Sequence, residues 1–408
     1  MSVARPLTTP IARSETANRQ RWLLLATTVV GHAVKHFFAA GLFIILPELK
    51  AGLELSNAQV GVLSTARNLA GGLANVPAGF LADRWPERRA EILGLSIAGI
   101  GVFAYLLGSS GSYLAAVVSA ALLAAVISFW HPAAIGAISQ IFVRRRGLAI
   151  ALHGTGGSVG EALGPLVTGL LLALFAWTTL LRASLIPALL CGLVVWLLIR
   201  TVPETGASSF GVRGYLAGVG RLLSNRRLLL VLLFAGGFAG GQSVVQTFLP
   251  IFLRENIGVS PATVGFYLAL AQVVGIGSQP LMGWLSDRWG RKAVLVPALL
   301  TLGSAYAALA VAPIGAPFLA VVALMGAFMY SLMAIFLAAA IDLVQGDVQA
   351  TTVALVFGIA TAVSGIAPGV AGIIADSAGT IATFLFAGGL VLVVGMVAAF
   401  TQWRRVPA

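Results

Sequence analysis

The chain has 408 residues, of which 59% are hydrophobic and 9% are charged, and its mean hydropathy is +0.99. Soluble domains contain roughly 45–50% apolar and about 25% charged residues, so this composition excludes a soluble enzyme, and it equally excludes a disordered chain, which would be polar. The formal net charge of +12 suggests a nucleic-acid partner, but basic residues in the cytoplasmic loops of a multi-spanning protein account for the same total.

Twelve apolar segments follow one another, each long enough to cross the membrane as a helix of about 20 residues. Their predicted bounds are 22–46, 57–80, 90–108, 113–139, 148–173, 178–199, 227–252, 262–285, 293–312, 315–341, 350–374 and 380–402. The predicted fold is an all-α polytopic membrane protein. Its predicted parts are an N-terminal tail (1–21), an N-terminal six-helix bundle (22–199), a polar linker (200–226), a C-terminal six-helix bundle (227–402) and a C-terminal tail (403–408).

Basic residues are concentrated in the loops on one side of these helices. With the N-terminus inside, twenty of the 25 Lys and Arg residues fall on cytoplasmic segments. Lys50, Arg182 and Arg254 lie at outer ends, and Lys35 and Arg67 lie inside helices. Because cytoplasmic loops carry the positive charge, this distribution predicts cytoplasmic termini and a location in the inner (plasma) membrane.

A loop motif occurs twice, half a chain apart. Residues 79–89 read GFLADRWPERR and residues 283–292 read GWLSDRWGRK, at an offset of 204 residues. Gly164-Pro165 and Ala367-Pro368 repeat at an offset of 203 residues. Two parallel six-helix repeats joined by a linker are a transporter architecture, so the sequence predicts two pseudo-symmetric bundles.

The doubled loop resembles the pattern G-x-L-[AS]-D-R-x-G-R-[RK] of the major facilitator superfamily, and the resemblance covers nearly the whole chain. The C-terminal copy matches closely, whereas the N-terminal copy has Pro86 in place of Gly, and Glu87 shifts its basic pair. The resemblance implies alternating access, with one state stabilised by cytoplasmic ion pairs of Asp83, Arg84, Asp287, Arg288, Arg291 and, after the tenth segment, Asp342. Simple anchoring of the loops is the alternative.

The fifth segment resembles the superfamily's antiporter pattern G-x-x-x-G-P-x-x-G-G, with Thr168 in place of one Gly. Gly160 and Gly164 would let a neighbouring helix approach closely, and Pro165 can bend the helix. Packing with no bearing on transport direction is the alternative interpretation.

A further resemblance, to fosmidomycin-resistance-type exporters of the same superfamily, rests on Phe129-Trp130-His131-Pro132, His32 and Gly164-Pro165. Those relatives carry acidic residues after both histidines, where this chain has Lys35-His36 and Ala133. The resemblance implies export of a drug-like molecule.

Three charged residues fall near the middle of apolar segments: Lys35, Arg67 and Glu161. At 1.5 Å per residue, all three lie near the bilayer midplane. A charge there costs at least ~2.5–3.5 kcal/mol, so each of these residues is a candidate for function. His32 and His36 share a helix face with Lys35 through their i, i+3 and i+4 spacing.

Three roles for these charges remain open. In the first, Lys35 and Arg67 attract an anionic group of the substrate and Glu161 titrates. In the second, Glu161 carries a proton beside Arg67 and the substrate is an amphipathic drug. In the third, Arg67 and Glu161 pair permanently and hold the helices together. Two cations against one acid favour a visiting anion, because an uncompensated buried charge costs several kcal/mol.

The other candidates are uncharged or weakly basic. His131, beside Pro132, and His36 are candidates for proton coupling. The C-terminal half offers neutral side chains that could hydrogen-bond a substrate or a neighbouring helix: Gln242, Gln246, Tyr267, Gln272 and Tyr330.

The predicted function is secondary active transport of a small organic anion or drug, with efflux favoured by the Gly-Pro pattern. The chain lacks G-x-x-x-x-G-K-[ST], so a proton gradient or the membrane potential would supply the energy. Proton-coupled anion uptake is one alternative, and a transport-inactive sensor or assembly factor is another. A membrane-embedded enzyme would need a nucleophile–base pair or metal ligands, which the sequence does not show.

The predicted partners are the lipid bilayer, a small-molecule substrate and protons, with no nucleic acid, and the expected state is a monomer. No cofactor or metal is predicted. The single cysteine, Cys191, excludes an internal disulfide and a cysteine-based metal site.

Overall fold

The computed structural model describes residues 10–202, 220, 222, 224–343 and 349–401. Every regular element in these residues is helical, which confirms the predicted all-α fold. Residues 1–9 of the predicted N-terminal tail, most of the predicted linker and the predicted C-terminal tail lie outside the described residues. The first helix begins at Pro10, twelve residues before the first predicted span, so the described part of that tail is helical.

Twelve helical segments follow in chain order within the described residues. They are α1 (Pro10–Gly52), α2 (Asn57–Arg84), α3 (Arg89–Gly108), α4 (Tyr113–Ile141), α5 (Arg146–Leu172), α6 (Trp177–Ile199), α7 (Arg226–Ile251), α8 (Pro261–Trp289), α9 (Arg291–Ala308), α10 (Ala316–Ile341), α11 (Gln349–Ala378) and α12 (Ile381–Phe400). Breaks at Phe129, at Ser184 and after Met329 interrupt α4, α6 and α10. Nine of these described segments are long and apolar enough to cross a membrane by length and composition alone; α2, α5 and α9 are not among them.

The two halves contact each other along α2–α11 and α5–α8, which together we call the seam. At each contact a glycine of one half faces a proline carbonyl of the other. A Cβ added to Gly61 would lie 2.3 Å from the Pro368 oxygen, and one added to Gly265 would lie 2.4 Å from the Pro165 oxygen. The glycines are 204 residues apart and the prolines are 203 apart, so the repeat offset in the sequence is also the offset between the two seam contacts.

Ion pairs join the halves at one end of the seam, which we call the sealed end. Arg254 Nη2 lies 2.8 Å from Glu48 Oε1, and Lys50 Nζ lies 2.6 Å from Glu255 Oε2. Both pairs link the end of α1 to the turn that follows α7. All four side chains are partly exposed, so each pair contributes at most about 1 kcal/mol.

A carboxylate of α11 also caps α2 at the sealed end. Asp376 accepts hydrogen bonds from the backbone N–H groups of Asn57, at 2.8 Å, and Ala58, at 2.9 Å. The first N–H groups of a helix have no partner within the helix, and a negative charge there interacts favourably with the helix dipole. Asp376 of the C-terminal half can therefore accept hydrogen bonds from the first N–H groups of α2 only while this end is closed.

At the opposite end, which carries the two loop motifs, α5 and α8 separate; we call it the open end. Gly154 lies three turns before Pro165 on the same face of α5. Among the described residues, no atom beyond its own helix backbone lies within 4 Å of the position that a Cβ on Gly154 would take. Gly277 and Gly283 on α8 are equally open. At this level α5 and α8 therefore no longer touch, whereas the sealed end is joined by ion pairs and by the Asp376 cap.

The glycines of the predicted antiporter pattern pack α5 against α1. A Cβ on Gly160 would lie 2.1 Å from the Ala33 carbonyl oxygen, and one on Gly164 would lie 2.4 Å from that of Phe37. Only glycine allows the two backbones to approach this closely.

We predict that Gly160→Ala destabilises the folded protein by about 1–3 kcal/mol, because the added methyl group must displace the α1 backbone. Gly154→Ala on the same helix is the matched control. It should be neutral or stabilising by up to about 1 kcal/mol, since alanine favours helix and meets open space. Thermal unfolding of the two purified variants measures the difference, and equal melting temperatures would contradict the packing role.

Asp376→Ala should shift the protein away from the sealed conformation, because two hydrogen bonds between the halves are lost. Since Asp376 is exposed, the expected effect is about 1 kcal/mol, or roughly a fivefold change in population. Spin labels on Gly111→Cys and Val311→Cys in a Cys191→Ala background would report a longer distance across the sealed end.

Ser377→Ala is the control for Asp376→Ala, because Ser377 bonds only to carbonyls of its own helix. An unchanged distance distribution in Asp376→Ala would show that its cap does not hold this end closed.

Candidate functional site

Four histidines surround Lys35 in the middle of the N-terminal bundle. His32 and His36 lie on α1, His131 lies on α4 and His153 lies on α5. The His32 ring stacks on the His153 ring at 4.0 Å between centroids and meets the edges of His36 at 4.5 Å and His131 at 4.9 Å. Lys35 is only 3% exposed, and its Nζ lies 3.1 Å from the ring nitrogens of His131.

Local structure explains why the four rings meet. His32 and His36 are one turn apart on α1. Gly157 of α5 lies against the His32 ring, where a Cβ would come within 2.5 Å of Cε1, so α5 can approach α1. In α4 the break at Phe129 starts a second helical half at Trp130, where Pro132 is tolerated in the first turn and His131 faces α1.

A directed chain of hydrogen bonds connects three of these histidines to Lys35. His32 Nδ1 lies 2.7 Å from the His153 carbonyl oxygen, which can only accept, so Nδ1 carries the proton. In neutral His32, Nε2 then accepts from His131 Nε2–H at 2.8 Å. This leaves His131 Nδ1 as an acceptor, and Lys35 Nζ lies 3.1 Å from it. Within this chain, the ring nitrogens of His32 and His131 have defined donor or acceptor roles, whereas His153 contributes its backbone carbonyl and its two ring nitrogens have no hydrogen-bond partner among the described residues.

Three of the histidines could be considered as metal ligands. One nitrogen each from His32, His36 and His131 lies within 4.8 Å of the other two. However, Lys35 Nζ lies 3.1 Å from both ring nitrogens of His131, so a metal ion bound by these histidines would lie next to the lysine amine. The arrangement therefore fits a buried ammonium better than a second cation.

Glu161 joins this cluster to the C-terminal half. Its Oε1 lies 2.8 Å from His36 Nδ1, and the two side chains are 32% and 18% exposed, so water can reach the pair. Gln272 of α8 and Tyr330 of α10 both lie close enough to Glu161 to interact with its carboxylate. Glu161 is thus located at the seam, with partners from both halves.

Arg67 lies apart from Glu161. Its Nη2 donates to the Ala39 carbonyl oxygen at 3.1 Å, and its guanidinium carbon lies 4.5 Å from the centre of the Phe43 ring. Among the described residues, Glu161 has His36 rather than Arg67 as its ion-pair partner, and no carboxylate lies within 4 Å of the Arg67 guanidinium. A guanidinium group has five N–H donors, and only one of them has a partner here.

The neutral candidate residues of the C-terminal half lie in different surroundings. Gln246 lies near Tyr330, which in turn lies near Glu161. Tyr267 is buried and packs edge-on against Phe318 at 5.3 Å, which is a core contact. Gln242 on α7 is half-buried.

The two copies of the loop motif differ in structure. In the C-terminal copy Arg291 binds Asp287 and, at 3.0 Å, Asp342, which ties α8, α9 and the end of α10 together within one half. Gly290 has φ +92°, a conformation that favours glycine, whereas Pro86 begins a short 3₁₀ turn (Pro86–Arg88) in the other copy.

The remaining charged residues of both motifs lie at the open end. Asp83 and Arg84 are exposed at the end of α2, and Arg288 lies over the Trp284 ring at 5.4 Å. The described ion pairs of this motif therefore stabilise the C-terminal half internally.

Sequence reasoning missed two polar residues that the structure places in important contacts. His153 stacks on His32, and its eight-residue spacing from Glu161 places both residues near one face of α5. Asp376 lies near the end of α11, and no local signal indicates its bonds to α2, because the partners are more than 300 residues apart.

Two six-helix halves with a charged site at their seam are the architecture of a secondary transporter. Residues 28–275 and 238–408 match the family model of the Major Facilitator Superfamily. The chain therefore belongs to the major facilitator superfamily, and it is a multi-pass membrane transporter of small molecules rather than an enzyme.

Several known proteins are similar to this chain. The fosmidomycin resistance protein of Escherichia coli (strain K12) is 23% identical over 294 residues, which is 71% of each chain. The probable 4-methylmuconolactone transporter of Cupriavidus pinatubonensis (strain JMP 134 / LMG 1197) is 30% identical over 280 residues, 65% of this chain and 63% of the relative. The inward-facing, occupied crystal structure of a bacterial homologue of the human lysosomal transporter Spinster shares the fold, with a TM-score of 0.77, 17% identity and coverage of 98% and 100%.

Proposed function

We propose that this transporter exports a small organic anion by alternating access, using a proton gradient or the membrane potential. The observation that carries the proposal is Arg67, a half-buried cation in the middle of α2 whose described contacts are a carbonyl and an aromatic ring. Holding an ion in a low-dielectric interior without a counter-ion costs several kcal/mol. A substrate carboxylate or similar anion, bound during transport, would supply that counter-ion.

Lys35 and Glu161 have different roles in this proposal. Lys35 lies four residues before Ala39, the residue that Arg67 contacts, and adds positive charge to the same region of α1. Glu161 exchanges protons, because it is reachable by water and its partner His36 can also take up or release a proton. Since Glu161 pairs with His36, protonation of Glu161 is not required to free Arg67.

The distribution of the charges supports export as the proposed direction of transport. We place the open end, which carries both basic loop motifs, in the cytoplasm, since positive loops stay inside. The described conformation is then inward-facing, with Arg67 and Glu161 accessible from the cytoplasm. A membrane potential that is negative inside favours anion export by ~2.3 kcal/mol per charge per 100 mV.

Proton-coupled anion uptake is the second candidate. It is favoured by one observation: Glu161 is the only acid described within this cluster, so its protonation would leave the cluster more positive and would strengthen anion binding. Counterflow and net flux measured against a pH gradient distinguish the two directions. A transport-inactive sensor would show neither.

Arg67→Gln should reduce counterflow of the transported anion in proteoliposomes at least tenfold, equivalent to about 1.4 kcal/mol, because the positive partner of the anion is removed. Lys35→Ala should weaken it as well. A panel of labelled anions and cationic drugs, tested with and without a pH gradient, identifies the substrate class. Arg182→Gln, at the sealed end beside Ser109, is the control and should leave counterflow unchanged. Unchanged anion counterflow in Arg67→Gln would exclude the proposed anion site.

Glu161→Gln should abolish the pH dependence of transport while substrate exchange continues, since the variant cannot exchange a proton but keeps the shape of the side chain. The measurement is counterflow at a series of pH values, and Glu91→Gln, exposed at the start of α3, is the control. If Glu161→Gln keeps the pH dependence of the wild type, Glu161 is not the proton carrier.

A further inference from the structure

Gln272 presents an unpaired acceptor next to the proposed proton carrier. The side chain is 3% exposed and lies close enough to Glu161 to interact with its carboxylate. Among the described residues, its Oε1 atom has no hydrogen-bond partner. A buried acceptor without a donor is unfavourable. A new hydrogen-bond donor on Glu161 would satisfy Oε1 and would stabilise the conformation in which the two side chains meet.

We infer that Gln272 is the positioning residue through which the C-terminal half responds to the protonation of Glu161; this inference rests on the proposed function. An ionised carboxylate can only accept, so it pairs with the amide Nε2 and leaves Oε1 without a donor. A protonated carboxyl group has an O–H donor beside its carbonyl oxygen. It can therefore bind a primary amide at two points, with Nε2–H donating to the acid and the acid O–H donating to Oε1.

The contact between Glu161 and Gln272 lies where it can influence the conformation of the two halves. Glu161 is one turn before Pro165 on α5, and Gln272 is two turns after Gly265 on α8, so the pair lies beside the closest contact of the α5–α8 seam. Towards the open end, at Gly154, the two helices have already separated. A second hydrogen bond here holds α5 to α8 where they diverge, and protonation of Glu161 therefore stabilises the described, sealed conformation.

Every element packed around Glu161 contributes a titratable or polar group. They are Lys35, His32 and His36 from α1, His131 from α4, His153 from α5 itself, Gln272 from α8 and Tyr330 from α10. Gln272 is a neutral side chain of the C-terminal half. Its Nε2 alone would bond to ionised Glu161, whereas both its Nε2 and its Oε1 would bond to protonated Glu161. The preference of the protonated state for the open cytoplasmic end also fits export. A proton that binds to the empty transporter would convert it to the conformation open to the cytoplasm, where the substrate binds.

Spin labels at Gly154→Cys and Gly277→Cys, in a Cys191→Ala background without substrate, test the inference. In the labelled protein without further substitutions, lowering the pH should increase the population in which the two labels are far apart. In that population α5 and α8 are separated at the open end. Gln272→Leu should reduce this pH response at least twofold, because leucine offers neither donor nor acceptor. Gln279→Leu, two turns away on α8 and bonded to the Tyr330 carbonyl, is the control and should keep the full response.

Two further variants separate failure of this inference from failure of the proposed function. Glu161→Gln should behave as the protonated form at every pH, since two amides can also pair at two points. Gln272→Glu should move the midpoint of the response to higher pH, because two adjacent carboxyl groups share a proton.

The outcomes are distinct. A full pH response in Gln272→Leu, or an unchanged midpoint in Gln272→Glu, overturns the role of Gln272 while leaving Glu161 as the carrier. A full pH response in Glu161→Gln overturns the proposed proton carrier and this inference together.

Discussion

The cost of holding charge in a low-dielectric interior determines how this site is built. Lys35 is surrounded by imidazole rings, and Glu161 is paired with His36 at 2.8 Å. Arg67 has a carbonyl oxygen and an aromatic face instead of an anion. Each charge is thus stabilised by a different means, and the proposed division of the site into a proton-exchanging group and an anion-binding group rests on these differences.

The two halves are similar in backbone and different in chemistry. The same glycine–proline contact occurs twice across the seam, with Gly61 against Pro368 and Gly265 against Pro165. In contrast, the charged cluster belongs to the N-terminal half, and the C-terminal half meets it with neutral amide and phenol groups. A repeated scaffold allows the halves to rock symmetrically, whereas the asymmetric chemistry confines charge to one side of the moving surface.

Much of the fold could be predicted from particular residues. The repeated Asp-Arg motif and the Gly-Pro pairs indicated two halves, and the structure shows the same offset in its contacts. Hydropathy indicated the helices, although the structure shows breaks in α4, α6 and α10 that a hydropathy average does not detect. Their physical cause is local, such as Pro132 in the first turn of a new helical half, so a break leaves the average composition of the segment unchanged.

The sequence by itself determined which charges lie within the membrane and at what depth, because helix rise converts residue number directly into height. It also showed that Lys35, His32 and His36 share a face. Only the tertiary structure decided that Glu161 pairs with His36 and not with Arg67. Depth depends on the local helix alone, whereas pairing depends on how each helix is rotated and how closely it packs, and here glycine contacts between α1 and α5, far apart in the chain, set both.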